Sequence, residues 1–353
     1  MLERSGKWDR GIAAAVGAAV LFGLSTPIAK TLVGEASPLL LAGLLYTGSG
    51  AGLAVLLAAR AAISGRASIV RPRGADLWWL LGAIACGGAL GPYLLMVGLQ
   101  VTDSASASLI LNLEGVFTAL LAWFAFKENV DRRIAVGFAL IVAGGAVLSS
   151  GAALRAGGIA GPLAIAGACL FWAIDNNLTR KVSINDAMLI ACLKGLLAGP
   201  FSIALAVHFG SGIPNAAIAL RAGFLGFVGY GLSLTLFVLA LRDLGTARTG
   251  AYFSLAPFIG AGLAVALGAP LTGALLLAGV FMAAGVWLHL SESHAHRHRH
   301  TRLRHEHMHV HDAHHQHRHA GPQGGEPHSH EHDHEPLEHS HPHYPDAHHR
   351  HEH

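Results

Sequence analysis

Residues 98–121 read GLQVTDSASASLILNLEGVFTALL, and residues 240–263 read ALRDLGTARTGAYFSLAPFIGAGL. At a constant offset of 142, Leu99 falls on Leu241, Ala105 on Ala247, Leu113 on Leu255 and Gly115 on Pro257. In each copy a polar, chain-reversing turn closes one apolar run and opens the next. A multi-span membrane domain written twice is the usual build of a secondary transporter, with a site between the copies that can face either side.

Composition agrees with a membrane protein. Hydrophobic residues make up 52% of the chain and charged residues 13%, against about 25% charged in a soluble domain. Ten stretches approach the roughly 20 apolar residues that a bilayer requires. They lie at about 11–33, 38–63, 76–99, 104–126, 134–153, 158–179, 186–209, 222–241, 247–268 and 272–290. No processing pattern follows the first run, so no cleavable signal peptide is expected. The fold class predicted is an all-α integral membrane protein of ten helices in two five-helix repeats, followed by a tail. Residues 1–10 form a cytoplasmic N-terminus, 11–153 the first repeat, 154–290 the second and 291–353 the tail.

Lys and Arg placement sets the orientation. With the N-terminus inside, the inner segments hold Arg4, Lys7, Arg10, Arg66, Arg71, Arg73, Lys127, Arg132, Arg133, Arg180, Lys181, Arg242 and Arg248. The outer turns hold Arg155 and Arg221, with Lys30 at the end of the first span. Both termini are therefore expected in the cytoplasm and the protein in the plasma (inner) membrane. An odd number of spans per repeat inverts the second copy. Cys86, Cys169 and Cys192 fall in apolar runs and read as small hydrophobes. The 44 glycines suit helices that must approach closely in lipid, where no hydrophobic drive assists packing.

The stretch ASASLILNLEGVFTALLAWFAFKENVDRRIAVGFALIVAGGAVL (105–148) resembles the EamA domain of the drug/metabolite transporter superfamily. SLAPFIGAGLAVALGAPLTGALLLAGVFMAAGVWL (254–288) is its counterpart, and LFGLSTPIAK (21–30) and FWAIDNNLTRK (171–181) resemble the start of each repeat. The likeness covers about residues 11–290 and implies a transporter of small solutes rather than an enzyme. Three departures imply an asymmetric site. Leu45 stands where a basic residue is frequent, while its counterpart Lys194 keeps the charge. Gly115 replaces a proline that Pro257 retains, and the Glu128 position of the first repeat becomes an apolar turn at 268–270.

Ionisable groups inside a bilayer are disfavoured by about 2.5–3.5 kcal/mol on insertion scales, so they are the first functional candidates. Glu114 lies near the middle of the fourth run, with Asn112 and Ser108 nearby; Ser254 and Ala256 are the counterparts of Asn112 and Glu114. Asp175, Asn176 and Asn177 in the sixth run align with Ser25, Thr26 and Pro27 of the first. Paired interruptions of two such helices would mark a site; the alternative is that Asp175 begins the helix end. Lys194 in the seventh run needs a partner, from among Asp175, Asp186 and Glu114. Lys30 is expected to snorkel outward. Tyr46, Tyr93, Tyr230, Tyr252 and His208 are polar handles, of which Tyr230 joins the predicted site. The predicted substrate-binding set is thus Glu114, Asn112, Ser108, Asp175, Asn176, Asn177, Lys194, Ser254 and Tyr230.

The tail holds 23 of the 25 histidines and is itself duplicated, as units 294–319 and 328–353 at an offset of 34. Five Arg against two acids give the first unit a net charge of +3, and one Arg against six acids give the second −5. Neutral imidazole is the commonest metal ligand. The first unit offers His294, His296, His298, His300, His305, His307, His309, His311, His314, His315, His317 and His319. The second offers His328, His330, His332, His334, His339, His341, His343, His348, His349, His351 and His353. Zinc, nickel or cobalt are the expected ions, bound by a tail too poor in apolar residues to bury a core and so expected to be disordered without metal. No cofactor is required. Two roles follow from these residues: export of a small organic metabolite or drug with a metal-binding tail, or export of divalent metal collected by the tail. A membrane-anchored metal buffer is a third. The partners expected are the lipid bilayer, a small solute and divalent ions, not nucleic acid; the sequence leaves a homodimer open.

Overall fold

The structure is a computed structural model that describes residues 2–64, 72–126, 132–153, 158–183, 185–212, 214–244, 246–290, 295–299, 303–309, 328–334 and 338–342, the last four stretches at the level of the backbone. The chain divides into two units, Met1–Glu292 and Ser293–His353.

Helices occupy all ten apolar stretches. They are α1 (Leu2–Leu32), α2 (Pro38–Ser64), α3 (Ala75–Val101), α4 (Ser104–Ile110 and Leu113–Phe126), α5 (Arg132–Ala153) and α6 (Ala160–Val182). They continue as α7 (Ala187–His208), α8 (Ala216–Leu244), α9 (Thr246–Phe253 and Ala256–Ala266) and α10 (Gly273–Leu290). Among the described residues, seven of these are long and apolar enough to cross a membrane. Ala135–Leu148 of α5 and Gly273–Leu288 of α10 are shorter apolar helices, and α6 ends in the polar run DNNLTRKV. Large apolar side chains such as Trp78, Phe124, Phe201, Leu220 and Phe224 are exposed on the outside of the bundle. In water such a surface would aggregate; against lipid it is the surface required.

Packing exchanges the two halves. The first helix of each repeat lies on the third and fourth helices of the other: α1 on α8 and α9, α6 on α3 and α4. The helices α2 and α7 pack on each other, as do α5 and α10. Exchange of the repeats carries this set of contacts onto itself, the signature of a pseudo-two-fold relation. The α2–α7 contact is backbone against backbone: a Cβ on Gly195 would collide with the chain at Gly50, and one on Gly199 with Thr47. Tyr46 and Leu45 lie in the same core.

The interruptions in the helices also come in pairs. Both α3 and α8 pass through π-helical turns, at Ile84–Leu90 and Phe227–Leu232. Both α4 and α9 break in the middle, at residues 111–112 and 254–255. Each break is bridged by short i→i−3 bonds, Asn112 N–H to Leu109 C=O (3.0 Å) and Leu255 N–H to Tyr252 C=O (3.2 Å). Pro257 sits in the first turn after the second break, where a missing N–H does no harm. The sequence reading looked for paired interruptions at Ser25–Pro27 and Asp175–Asn177. The structure corrects it: α1 and α6 run unbroken through both. The side chains of Ser25, Asp175, Asn176 and Asn177 find partners without disturbing the ladder, and Pro27 is absorbed in a continuous helix.

The tail also departs from expectation. The disordered tail read from its composition holds four strands, β1 (Ala295–Arg299), β2 (Leu303–His309), β3 (His328–His334) and β4 (Glu338–Pro342). β1 pairs with β4 and β2 with β3, both antiparallel. His-x-His alternation has the period of a strand, and the two units carry opposite charge.

Replacing Gly195 with Leu should push α2 from α7 and destabilise the bundle by at least about 2 kcal/mol. Thermal unfolding in detergent checks this, and an unchanged midpoint would contradict the contact.

Candidate functional site

Among the described residues three charged side chains are buried: Glu114 on α4, Asp175 on α6 and Lys194 on α7. Each has been given a partner, as burial of an ion demands. Lys194, 1% exposed, donates to the Asp175 carboxylate at 2.5 Å and to the Thr179 hydroxyl at 2.7 Å. Thr179 donates in turn to the same Asp175 oxygen at 2.7 Å. The four-residue spacing from Asp175 to Thr179 puts both on one helix face. The triangle therefore ties α6 to α7 within the second repeat. Of the three partners that the sequence offered Lys194, the structure selects Asp175. Asp186 pairs instead with Arg60, and Glu114 faces elsewhere.

The other carboxylate oxygen of Asp175 lies against Gly87, where a Cβ would collide with it. Gly87 stands in the π-helical turn of α3, and its carbonyl accepts from the Tyr46 hydroxyl (2.6 Å) and the Trp172 indole N–H (3.1 Å). A π-turn leaves backbone groups outside the regular ladder, and in lipid these must be met by side chains. One carbonyl thus joins α2, α3 and α6. The counterpart glycine of α8 is Gly229, which rests against Ser25 of α1. Pseudo-symmetric positions make the same helix contact with different chemistry: a charged pair on one side, a serine on the other.

Glu114 carries the contact between the repeats. The break in α4 places it in the first turn of a new helical segment, where the positive end of the helix dipole favours a carboxylate. Its Oε1 accepts from Asn176 of α6 at 2.8 Å. Asn176 also reaches the Thr118 hydroxyl at 3.3 Å, and Asn177 donates to the Thr118 carbonyl at 3.2 Å. The related place in the other half has Ala256 for Glu114, and Thr26 there is buried with its hydroxyl unpartnered. The Glu114 and Asp175 carboxyls lie within electrostatic reach of each other. Asp175 is paired with the Lys194 ammonium, whereas the Glu114 carboxyl is met by the Asn176 amide.

An aromatic cluster lines the same region. Phe22 meets Trp172, Tyr230 and Phe253 at centroid distances of 5.6, 5.8 and 5.5 Å, and Tyr46 meets Tyr230 at 5.6 Å. Trp172 and Asn176 are one turn apart on α6, so the rings and the Glu114 contact share a helix face.

The structure brings Glu114, Asn176 and Asn177 together, sets Asp175 and Lys194 beside them, and places Tyr230 in the rings. It turns the other predicted residues aside. Asn112 donates to the Leu109 carbonyl (3.1 Å) and to the Met282 sulfur on α10 (3.7 Å). Ser254 bonds back to the Gly250 carbonyl of its own helix at 2.8 Å, although it lies close to Gly115. Ser108 is buried with no partner. The Lys30 ammonium caps the carbonyls of Leu99 and Thr102 at the end of α3. The sequence reading missed Thr118 and Thr179, each four residues after a buried carboxylate, a spacing that would have found them. It also missed Trp172 and Gly87, which only the π-turn makes polar partners.

Among the side chains described, no group of three or more His, Cys, Asp or Glu is placed to hold a metal ion. Glu128 and twelve of the tail histidines (His294, His300, His311, His314, His315, His317, His319, His343, His348, His349, His351 and His353) lie outside the described residues.

The family model of the EamA-like transporter family matches residues 9–150 and 159–291. The chain belongs to that family, and the two matched segments are the two repeats. It is 28% identical over 207 residues to an uncharacterized transporter of Methanothermobacter thermautotrophicus, covering 56% of this chain and 60% of that protein. It is 25% identical over 215 residues to the uncharacterized transporter YyaM of Bacillus subtilis, covering 55% of this chain and 68% of that one. The match thus spans about 60% of the length of the archaeal relative. A crystal structure of a protein 22% identical in sequence superposes with a TM-score of 0.60, over 78% of this chain and 95% of its own; it shows the same fold. The protein is a multi-pass membrane protein of a transporter family.

Neutralising one partner of the buried pair strands the other charge. Asp175→Asn or Lys194→Met alone should lower stability by about 3–5 kcal/mol, and the double variant should recover most of it. Unfolding midpoints in detergent check this; additive losses would show that the two groups do not pair.

Proposed function

We propose that this chain is a secondary transporter that exports a small organic metabolite or drug. All ten helices cross the membrane as two inverted five-helix repeats, with both termini in the cytoplasm. The tail binds divalent metal. The observation that carries the reading is the Glu114–Asn176 hydrogen bond, made between repeats at a helix break. A solute that competes for either group changes the contact that joins the halves, which is what alternating access requires. A carboxyl met by an amide among rings and hydroxyls favours an uncharged or cationic solute over an anion. The same chemistry ranks metal export lower, since zinc, nickel or cobalt would call for imidazoles or thiolates in the path. The positive-inside bias of the connecting segments supports the orientation.

Uptake of a solute panel by proteoliposomes, with and without zinc or nickel, tests the reading. Glu114→Gln keeps the size of the side chain and removes its charge. It should lower transport of the accepted solute by about tenfold or more, the worth of one hydrogen bond to a charged group. Normal transport by this variant would remove Glu114 from the mechanism.

A further inference from the structure

The two strand ladders of the tail hold one register, and that register sets histidine against histidine. His296 stands opposite His341, His298 opposite His339, His305 opposite His332, His307 opposite His330 and His309 opposite His328. In the sequence the histidine phase slips by one residue between His300 and His305, and again between His334 and His339. Because the slips match, a single antiparallel register serves both blocks. A shift of one residue would set the histidines of β2 against acidic positions such as Glu331 and Asp333. Residues directly opposite in such a ladder share a face with Cβ atoms about 4.5–5.5 Å apart, and i, i+2 neighbours share it too. The β2–β3 ladder therefore carries seven histidines on one face, six of them facing one another in three rows and His334 opposite Leu303, and the β1–β4 ladder four, in two rows. On the opposite faces Arg299 stands across from Glu338 and Arg304 across from Asp333, two pairings of unlike charge set against one of like charge, Glu306 across from Glu331.

We propose that these ladders are the tail's metal sites. Each dication is held by a His-x-His pair from one unit and a histidine across from it in the other, so that metal clasps the two units together. Three imidazoles are a known ligand set for a tetrahedral ion with one open position, and zinc, nickel and cobalt take imidazole readily. The ten histidines paired in five rows hold about three such ions. The proposal rests on the reading that the tail binds metal, and adds that neither unit makes these sites alone. Protons compete for the same lone pairs, so the clasp opens as pH falls through the ordinary imidazole value of about 6.5.

Cobalt and zinc titrations of the full-length protein in detergent test it, read by calorimetry and by the visible spectrum of tetrahedral cobalt. His307→Ala and His330→Ala should each weaken one class of ion by about tenfold or more. The double variant should be little worse than either, because both histidines serve one ion. If the two effects instead add, the units bind independently and the clasp is overturned while metal binding stands. If the full-length protein takes up neither metal at micromolar concentration, the metal-binding reading falls and the clasp with it.

Discussion

Direct backbone contact between α2 and α7 sets the geometry of the membrane domain. Lipid gives packed helices no hydrophobic advantage over separated ones, so association depends on close van der Waals contact. Gly50 against Gly195 and Thr47 against Gly199 allow that approach. These helices are related to each other by the repeat, so their contact fixes how the halves face. Lys194 is the neighbour of Gly195, and the same contact holds it where only Asp175 and Thr179 can satisfy it. The contact is pinned beyond the glycines as well, by Arg60 with Asp186 at one end and Ser37 with Ser211 (2.8 Å) at the other.

Around this pair, the two halves share their irregularities and differ in their chemistry. The π-turns of α3 and α8 and the breaks of α4 and α9 occupy related positions, and each leaves backbone groups that regular helix would have satisfied. In the first repeat Gly87 collects Tyr46 and Trp172, and the break in α4 presents Glu114 at a helix start. The second repeat has Gly229 against a serine and Ala256 where Glu114 would be. Divergence has thus concentrated charge on one side of a symmetric frame.

The parts of this arrangement legible in the sequence were those that depend on period and composition. The offset repeat, the apolar runs and the chain reversals at Asp103 and Asp243 follow from residue types alone. Glu114, Asp175 and Lys194 stood out because charge is rare in apolar runs. What the sequence concealed was backbone geometry. Nothing in IACGGAL announces a π-turn, because the extra residue per turn is imposed by the helices packed around it. The polar run at Asp175–Asn177 looked like a helix end, yet Thr118, Glu114 and Lys194 supply the partners that let α6 continue. Asn112 was grouped with Glu114 by sequence distance; the break between them turns it toward Met282 instead. In the tail, charge and alternation were read separately, and only the register joins them.

Under the proposed topology the two repeats are inverted, so that the groups joining them sit on an axis within the membrane plane. The α3–α4 turn at Asp103 and the α8–α9 turn at Asp243 are related by the repeat and must then lie on opposite sides of the bilayer. Single cysteines at these positions, in a protein whose own three cysteines have been replaced, can be labelled in intact cells with a membrane-impermeant maleimide. The account predicts labelling at Asp103→Cys, and at Asp243→Cys only after the cells are opened. Labelling of both from the same side would contradict it.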